Sequence, residues 1–104
     1  AMEELEISLM QIISYSGEAR SLCFEALQSY RDGDKEAGRK QYKDAEENLY
    51  TAKRAHSRIL KQSANGEFDQ ISLLMVHAED QMMASEIIYQ MTRELFHCMS
   101  ETKG

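Results

Sequence analysis

The sequence predicts an all-α chain of three long helices, each antiparallel to the one before, packed as an up-down-up three-helix bundle. Three observations lead there. The 104 residues hold no proline and only five glycines, so little forces the chain out of helix over long spans. Apolar residues recur at alternating steps of four and three, and strand-like alternation is absent. Two short glycine-bearing segments, Arg31-Asp-Gly-Asp34 and Asn65-Gly66, interrupt the pattern. Links this short leave neighbouring helices antiparallel, and a chain of this length reads as a single domain over residues 1–104.

The first helix is expected from about Met2 to Tyr30, on a seam of Leu5, Leu9, Ile12, Ser16, Ala19, Cys23, Ala26 and Tyr30. Gly33 suits a left-handed cap after it, and Asp34 suits the N-cap of the next helix. The second is expected from Lys35 to about Ser63, on Gly38, Tyr42, Ala45, Leu49, Ala52, His56 and Ile59. The third is expected from an Asp69 cap to about Thr102.

The third helix carries more than one apolar stripe. Leu73, His77, Asp80, Ala84, Ile87, Met91, Leu95 and Cys98 form a seven-fold seam, while Leu74, Ala78, Met82, Ile88, Tyr89, Phe96 and Met99 lie elsewhere on its circumference. A helix apolar nearly all round is covered on all sides, and two neighbours in a bundle of three do not achieve that. The third helix is therefore expected to pack against copies of itself, with His77 and Asp80 near that contact.

The formal charge of −6 argues against nucleic acid and against an anionic membrane surface as partners. Bases concentrate in residues 35–61 between two acid-rich segments, which reads as a solvated helix face with local pairs such as Glu36 with Lys40 and Glu47 with Arg54. Cys23 and Cys98 have no ligand spacing and read as buried thiols of a reducing compartment. No run approaches the roughly eighteen apolar residues of a membrane span, and no signal-peptide pattern is visible, so a cytoplasmic location is expected.

His77 and Asp80 are the residues that packing explains least. A carboxylate on an apolar seam costs several kcal/mol to desolvate unless it finds a partner or a metal. A lone histidine on such a seam is more often a hydrogen-bonded core residue, which suffices for His56 and His97. His77 differs because Asp80 follows one helical turn on. The pair can ligate a metal, hold an imidazole in one tautomer, or form an ion bridge. One histidine and one carboxylate fall short of a zinc site within one chain. Three copies of Asp80 on a symmetry axis would instead suit a hard divalent cation such as magnesium. Alternatively, a neutral His77 imidazole can attack a phosphoryl donor and hold the group as a phosphoramidate. No glycine-rich phosphate loop, nucleophile elbow or kinase signature suggests other chemistry.

Four motifs resemble one family. Gly17-Glu-Ala-Arg20-Ser is followed by Glu25-Ala-Leu27; Asp32-Gly33-Asp34 forms a turn; Ala64-Asn-Gly66-Glu67 follows the second helix; and His77 stands eleven residues after Gly66. From Ile12 to about Leu95 the chain resembles the lactose/cellobiose-type enzyme IIA component of the bacterial phosphoenolpyruvate-dependent sugar phosphotransferase system. The resemblance implies a three-helix protomer assembled as a homotrimer, and a histidine phosphocarrier for uptake of lactose-, cellobiose- or chitobiose-type sugars. His77 would receive a phosphoryl group from HPr and pass it to a cysteine of the cognate IIB. Asp80 would bind one divalent cation shared by three copies at the trimer axis. The membrane would be met only indirectly, through the IIC permease.

This chain departs from the family around the histidine. It has His77-Ala-Glu79-Asp80-Gln81-Met-Met83 where the family usually has Gln at the third position and His at the fifth. It has Ala52-Lys53 and His56-Ser57 where the family has Ala-His and Gln-Thr. Glu79 would weaken phosphorylation unless it points away, and His56 is placed to donate to the phosphoryl group or to pair with His77. Gln81 is a further candidate neighbour of that group. Glu79 and Gln81 favour an alternative, a degenerate or regulatory helical adaptor with weak phosphotransfer. A histidine phosphotransfer domain of a two-component relay ranks third, because it leaves the Gly17–Asp34 matches unexplained.

Overall fold

The computed structural model describes residues 2–102, with side chains placed for residues 3–100. Among these residues there are three helices and no strand: α1 (Met2–Arg31), α2 (Lys35–Ala64) and α3 (Leu73–Thr102). They form a rod of 55 × 19 × 17 Å. Both sharp turns use the same stop. After α1, the Gly33 N–H reaches the Tyr30 carbonyl at 3.2 Å and the Asp34 N–H reaches Ser29 at 2.9 Å. After α2, Gly66 bonds Ser63 at 3.0 Å and Glu67 bonds Gln62 at 2.9 Å. This double closure needs a left-handed residue at its centre, and Gly33 (φ 94°) and Gly66 (φ 72°) supply it without a Cβ clash. Asp34 caps α2 as expected, its carboxylate accepting the Ala37 N–H at 3.1 Å.

α3 starts later than the sequence suggests. Ser72, not Asp69, is the cap: its hydroxyl accepts the Met75 N–H at 3.2 Å, and its carbonyl accepts the first helical bond, from Val76, at 3.2 Å. Phe68 explains the delay. It is half-buried and packs on the core with Leu74 and Met75, closing the end of the bundle. That keeps the segment from Glu67 to Ile71 out of helix.

The seams of α1 and α2 lie largely where the spacing puts them. Leu5, Leu9, Ile12, Ser16, Ala19, Cys23 and Ala26 are buried, as are Gly38, Ala45, Leu49, Ala52 and Ile59. The seam residues Tyr30, Tyr42 and His56 are only half-buried, and Ala55, beside the expected seam, is buried in place of His56. At the crossing of α1 and α2 a Cβ on Gly38 would lie 3.0 Å from the Ala26 carbonyl oxygen, so only glycine lets the backbones come this close. Near the other end, Leu5, Leu9 and Ile12 meet Ala52, Ala55, Ile59, Ala78 and Met82.

On α3 the stripe of Ala78, Met82, Ser85 and Thr92 is the buried one. The His77 seam faces outward: His77, Asp80, Ala84 and Cys98 are exposed, with Leu73 at 84%, Ile87 at 59% and Met91 at 55% exposure. Cys98 and His97 are thus exposed rather than buried, because both lie beyond the arc of α3 that faces α1 and α2. Cys23 is buried, and desolvation raises its thiol pKa, partly offset by a hydrogen bond with Thr92. The surface pairs also differ in detail. Lys40 reaches Asp44 at 3.5 Å, and Arg54 lies over the Tyr50 ring at 5.9 Å. Among the described residues no helix is long and apolar enough to cross a membrane.

Candidate functional site

Helical geometry, about 100° per residue, divides α3 into an outer face and two flanks. The outer face presents His77 and Asp80, one turn apart and exposed, among Leu73, Val76, Met83, Ile87, Met91 and Leu95. Water reaches the Asp80 carboxylate there. The desolvation that its place on the seam suggests does not occur within one protomer.

The flank towards α2 holds Glu79 and Glu86. The Glu79 carboxylate meets the His56 ring nitrogen Nε2, and Glu86 meets the Lys53 ammonium. These two polar contacts join α3 to α2 beside the apolar contacts of Ala52, Ala55 and Ile59 with Ala78 and Met82. They also decide where the negative charge of Glu79 goes. Residues 77 and 79 lie about 200° apart around the helix, so Glu79 points away from His77 and onto His56. Within a protomer His56 therefore pairs with Glu79 and not with His77.

The flank towards α1 holds Gln81 and Ser85, one and two turns beyond His77. Arg20 of α1 spans both, donating from Nη2 to the Gln81 Oε1 and from Nη1 to the Ser85 Oγ, each at 2.9 Å. Ser85 in turn donates to the Ser16 carbonyl at 2.7 Å. This chain of bonds, buried at Ser85 and part-buried at Arg20 and Gln81, crosses from α3 to α1 and holds Gln81 beside the outer face. Gln81 thus stands on the same side as His77, whereas His56 and Glu79 stand on the other. Sequence reasoning assigned no role to Arg20 or Ser85. Arg20 follows the buried Ala19, the position from which a long cation reaches around a seam, but its partners are 61 and 65 residues away and leave no local trace.

At the far end of the bundle sits an aromatic cluster. Tyr42 stacks on Tyr89 at 4.6 Å and meets Phe96 edge-on at 5.3 Å, while Tyr30 packs on Phe96 at 4.7 Å. The Tyr42 hydroxyl donates to the Tyr89 carbonyl at 3.2 Å. Burial pushes the phenol pKa of both tyrosines up. Among the described residues no three His, Cys, Asp or Glu side chains of one chain converge on a metal-sized site.

The outer face of α3 thus presents an exposed histidine with polar side chains held on both flanks, by Arg20 on one side and His56 on the other. Residues 7–100 match the family model described as the PTS system, lactose/cellobiose specific IIA subunit, and the chain belongs to this family of phosphotransferase-system enzyme IIA phosphocarriers. It is 35% identical over 105 residues to the lichenan-specific phosphotransferase enzyme IIA component of Bacillus subtilis, covering 98% of this chain and 96% of that one. It is 31% identical over 102 residues to the N,N'-diacetylchitobiose-specific EIIA component of Escherichia coli K12, covering 98% and 88%. The crystal structure of the cellobiose-specific enzyme IIA from Bacillus anthracis superposes with a TM-score of 0.89 at 27% identity, covering 95% of this chain and 91% of that one.

Proposed function

We propose that His77 is the residue that carries the phosphoryl group, taking it from HPr and passing it to a cysteine of the cognate IIB. The observation that carries this reading is the exposed imidazole of His77 on the outer face of α3, eleven residues after Gly66, the spacing on which the resemblance to the family's histidine motif rests. In the first step the lone pair of one His77 ring nitrogen attacks phosphorus. The bond from phosphorus to its donor atom breaks, and the electron pair leaves with that atom. The other ring nitrogen keeps its proton. In the second step the thiolate of IIB forms the new bond to phosphorus, and the electron pair of the breaking P–N bond returns to the His77 ring. Such a carrier needs an accessible nitrogen and donors for the phosphoryl oxygens, not a pocket for a sugar. Relatives named for lichenan, chitobiose and lactose make a β-linked oligosaccharide the reading for the cargo handled downstream.

The assembly reading is a homotrimer through the outer faces of α3. Leu73, Ile87 and Met91 are too large and too exposed for a face that stays in water. Asp80, mid-stripe, would then meet two copies of itself. Three carboxylate donors suit one hard divalent cation such as magnesium, with water completing its shell. That ion would neutralise the converging charges, which otherwise repel. Of the three neighbours expected for the phosphoryl site, Gln81 keeps that role in this reading, whereas His56 and Glu79 pair with each other on the opposite flank of α3 and lie off the site within a protomer.

The test is intact mass after incubation with phosphoenolpyruvate, enzyme I and HPr. The expected result is one acid-labile phosphoryl group, absent from His77→Ala while the helical circular-dichroism signal is retained. Labelling that persists in His77→Ala would move the acceptor to His56 or His97. No labelling of the unaltered protein, with HPr itself phosphorylated, would favour the regulatory adaptor.

A further inference from the structure

We propose that Arg20 is a positioning residue for phosphoryl transfer: by holding the Gln81 carboxamide oxygen, it turns the amide nitrogen toward the His77 side of α3 as a donor to the phosphoryl oxygens. The proposal rests on the reading that His77 is the acceptor.

The orientation of a glutamine amide follows from the partners it is given. A guanidinium has N–H donors and no acceptor, so the Gln81 atom 2.9 Å from the Arg20 Nη2 is the oxygen. The amide nitrogen then has two N–H donors, and among the described residues it makes no hydrogen bond. Gln81 is half-buried and four residues after His77, which on a helix sets their side chains next to each other, about 6 Å apart at Cβ. A phosphoryl group on His77 carries negative oxygens in reach of a side chain one turn away.

Arg20 cannot easily let go. Its second nitrogen donates to the Ser85 Oγ at 2.9 Å, and Ser85 is fully buried and anchored on the Ser16 carbonyl. The fork therefore fixes two consecutive turns of α3 at once, and the carboxamide of Gln81 is its outermost link. Preorganised donors stabilise developing oxyanion charge without reorganising, so orientation matters beyond the presence of an amide. A neutral amide also suits a carrier that must release its cargo, since a bare cation at this point would hold the phosphoryl oxygens more tightly.

The same bonds would serve a purely structural strut between α1 and α3, and the experiment separates the two. Single-turnover phosphorylation by phospho-HPr is followed for the unaltered protein, Gln81→Met, Arg20→Met, the double variant and Gln81→His, with urea midpoints measured alongside. Gln81→Met is expected to lower the maximal rate about tenfold, with the half-saturating HPr concentration changed by less than about threefold. Arg20→Met should lower the rate by a similar factor. The double variant should be no slower than Gln81→Met alone, because Arg20 acts through Gln81. Gln81→His, which restores a donor, should recover most of the rate. A normal rate in Gln81→Met, or losses that multiply in the double variant, would overturn the proposal while leaving His77 as acceptor. An unaltered protein that takes no phosphoryl group on His77 would overturn both. Rates that follow the urea midpoints across the set would assign the strut role instead.

Discussion

The two long faces of α3 differ in the opposite sense from a simple inside-outside rule. The face packed on α1 and α2 is built of small or polar residues at its tightest points: Ala78, Ser85 and Thr92 are fully or almost fully buried, and only Met82 among the buried four is large. The face left to solvent carries Leu73, Ile87, Met91 and Leu95. Small side chains let α3 approach α1 closely, and the hydroxyls find backbone acceptors, Ser85 on Ser16 and Thr92 on Ile88 at 2.7 Å each. What this teaches is that burial within a protomer and apolar volume are separate quantities. The first is set by how closely helices meet, the second by everything the helix will meet, including other copies.

The sharpest way to break this contrast is to place one charge on each face. Ile87→Asp should leave the helical content intact, since the side chain is already in water, and abolish the proposed trimer. Three buried carboxylates at one level would weaken association by more than about a hundredfold. Sedimentation velocity would then show monomers, whereas a persisting trimer would mean that the copies meet elsewhere. On the inner face, Ser85→Leu should destabilise the fold by about 2–3 kcal/mol. It forces a larger side chain into a filled space and removes the partner of both the Ser16 carbonyl and Arg20. A lower urea midpoint with unchanged assembly per folded chain is the expected reading, and an unchanged midpoint would show that the α1–α3 approach is looser than described.

Most of the fold was legible because its determinants are local. The seams of α1 and α2 need only the helical period, and the caps at Gly33, Asp34 and Gly66 need only a few neighbouring residues. α3 was legible as a helix but not in its rotation. Two apolar stripes compete on it, and nothing local says that the smaller residues face inward. Its start was misplaced for the same reason, since Phe68 packs on partners far along the chain. Of the candidate site, His77 and Asp80 stood out as polar residues in an apolar seam. The pairings that orient their surroundings, His56 with Glu79 and Arg20 with Gln81, join residues on different helices and became visible only with the fold.

The smallest effect expected is one of alkaline pH, and it separates the two faces in another way. The paired phenols, Tyr42 and Tyr89, belong to the inner side of the bundle. Burial favours their neutral forms, so each has a higher pKa folded than unfolded. For such an acid the associated stability is fully present below the unfolded value, near ~10, and is lost as pH rises through the raised folded value. Urea midpoints should therefore fall above about pH 10. Tyr42→Phe should begin lower at pH 8, by roughly 1 kcal/mol, because it gives up the hydrogen bond to the Tyr89 carbonyl. It should then fall less steeply, so that the two curves converge as pH rises. Lysine deprotonation affects both proteins alike and cancels in their difference. Parallel curves would show that the Tyr42 phenol ionises without strain on the bundle, and that its aromatic ring alone holds α3 against α2 at this end.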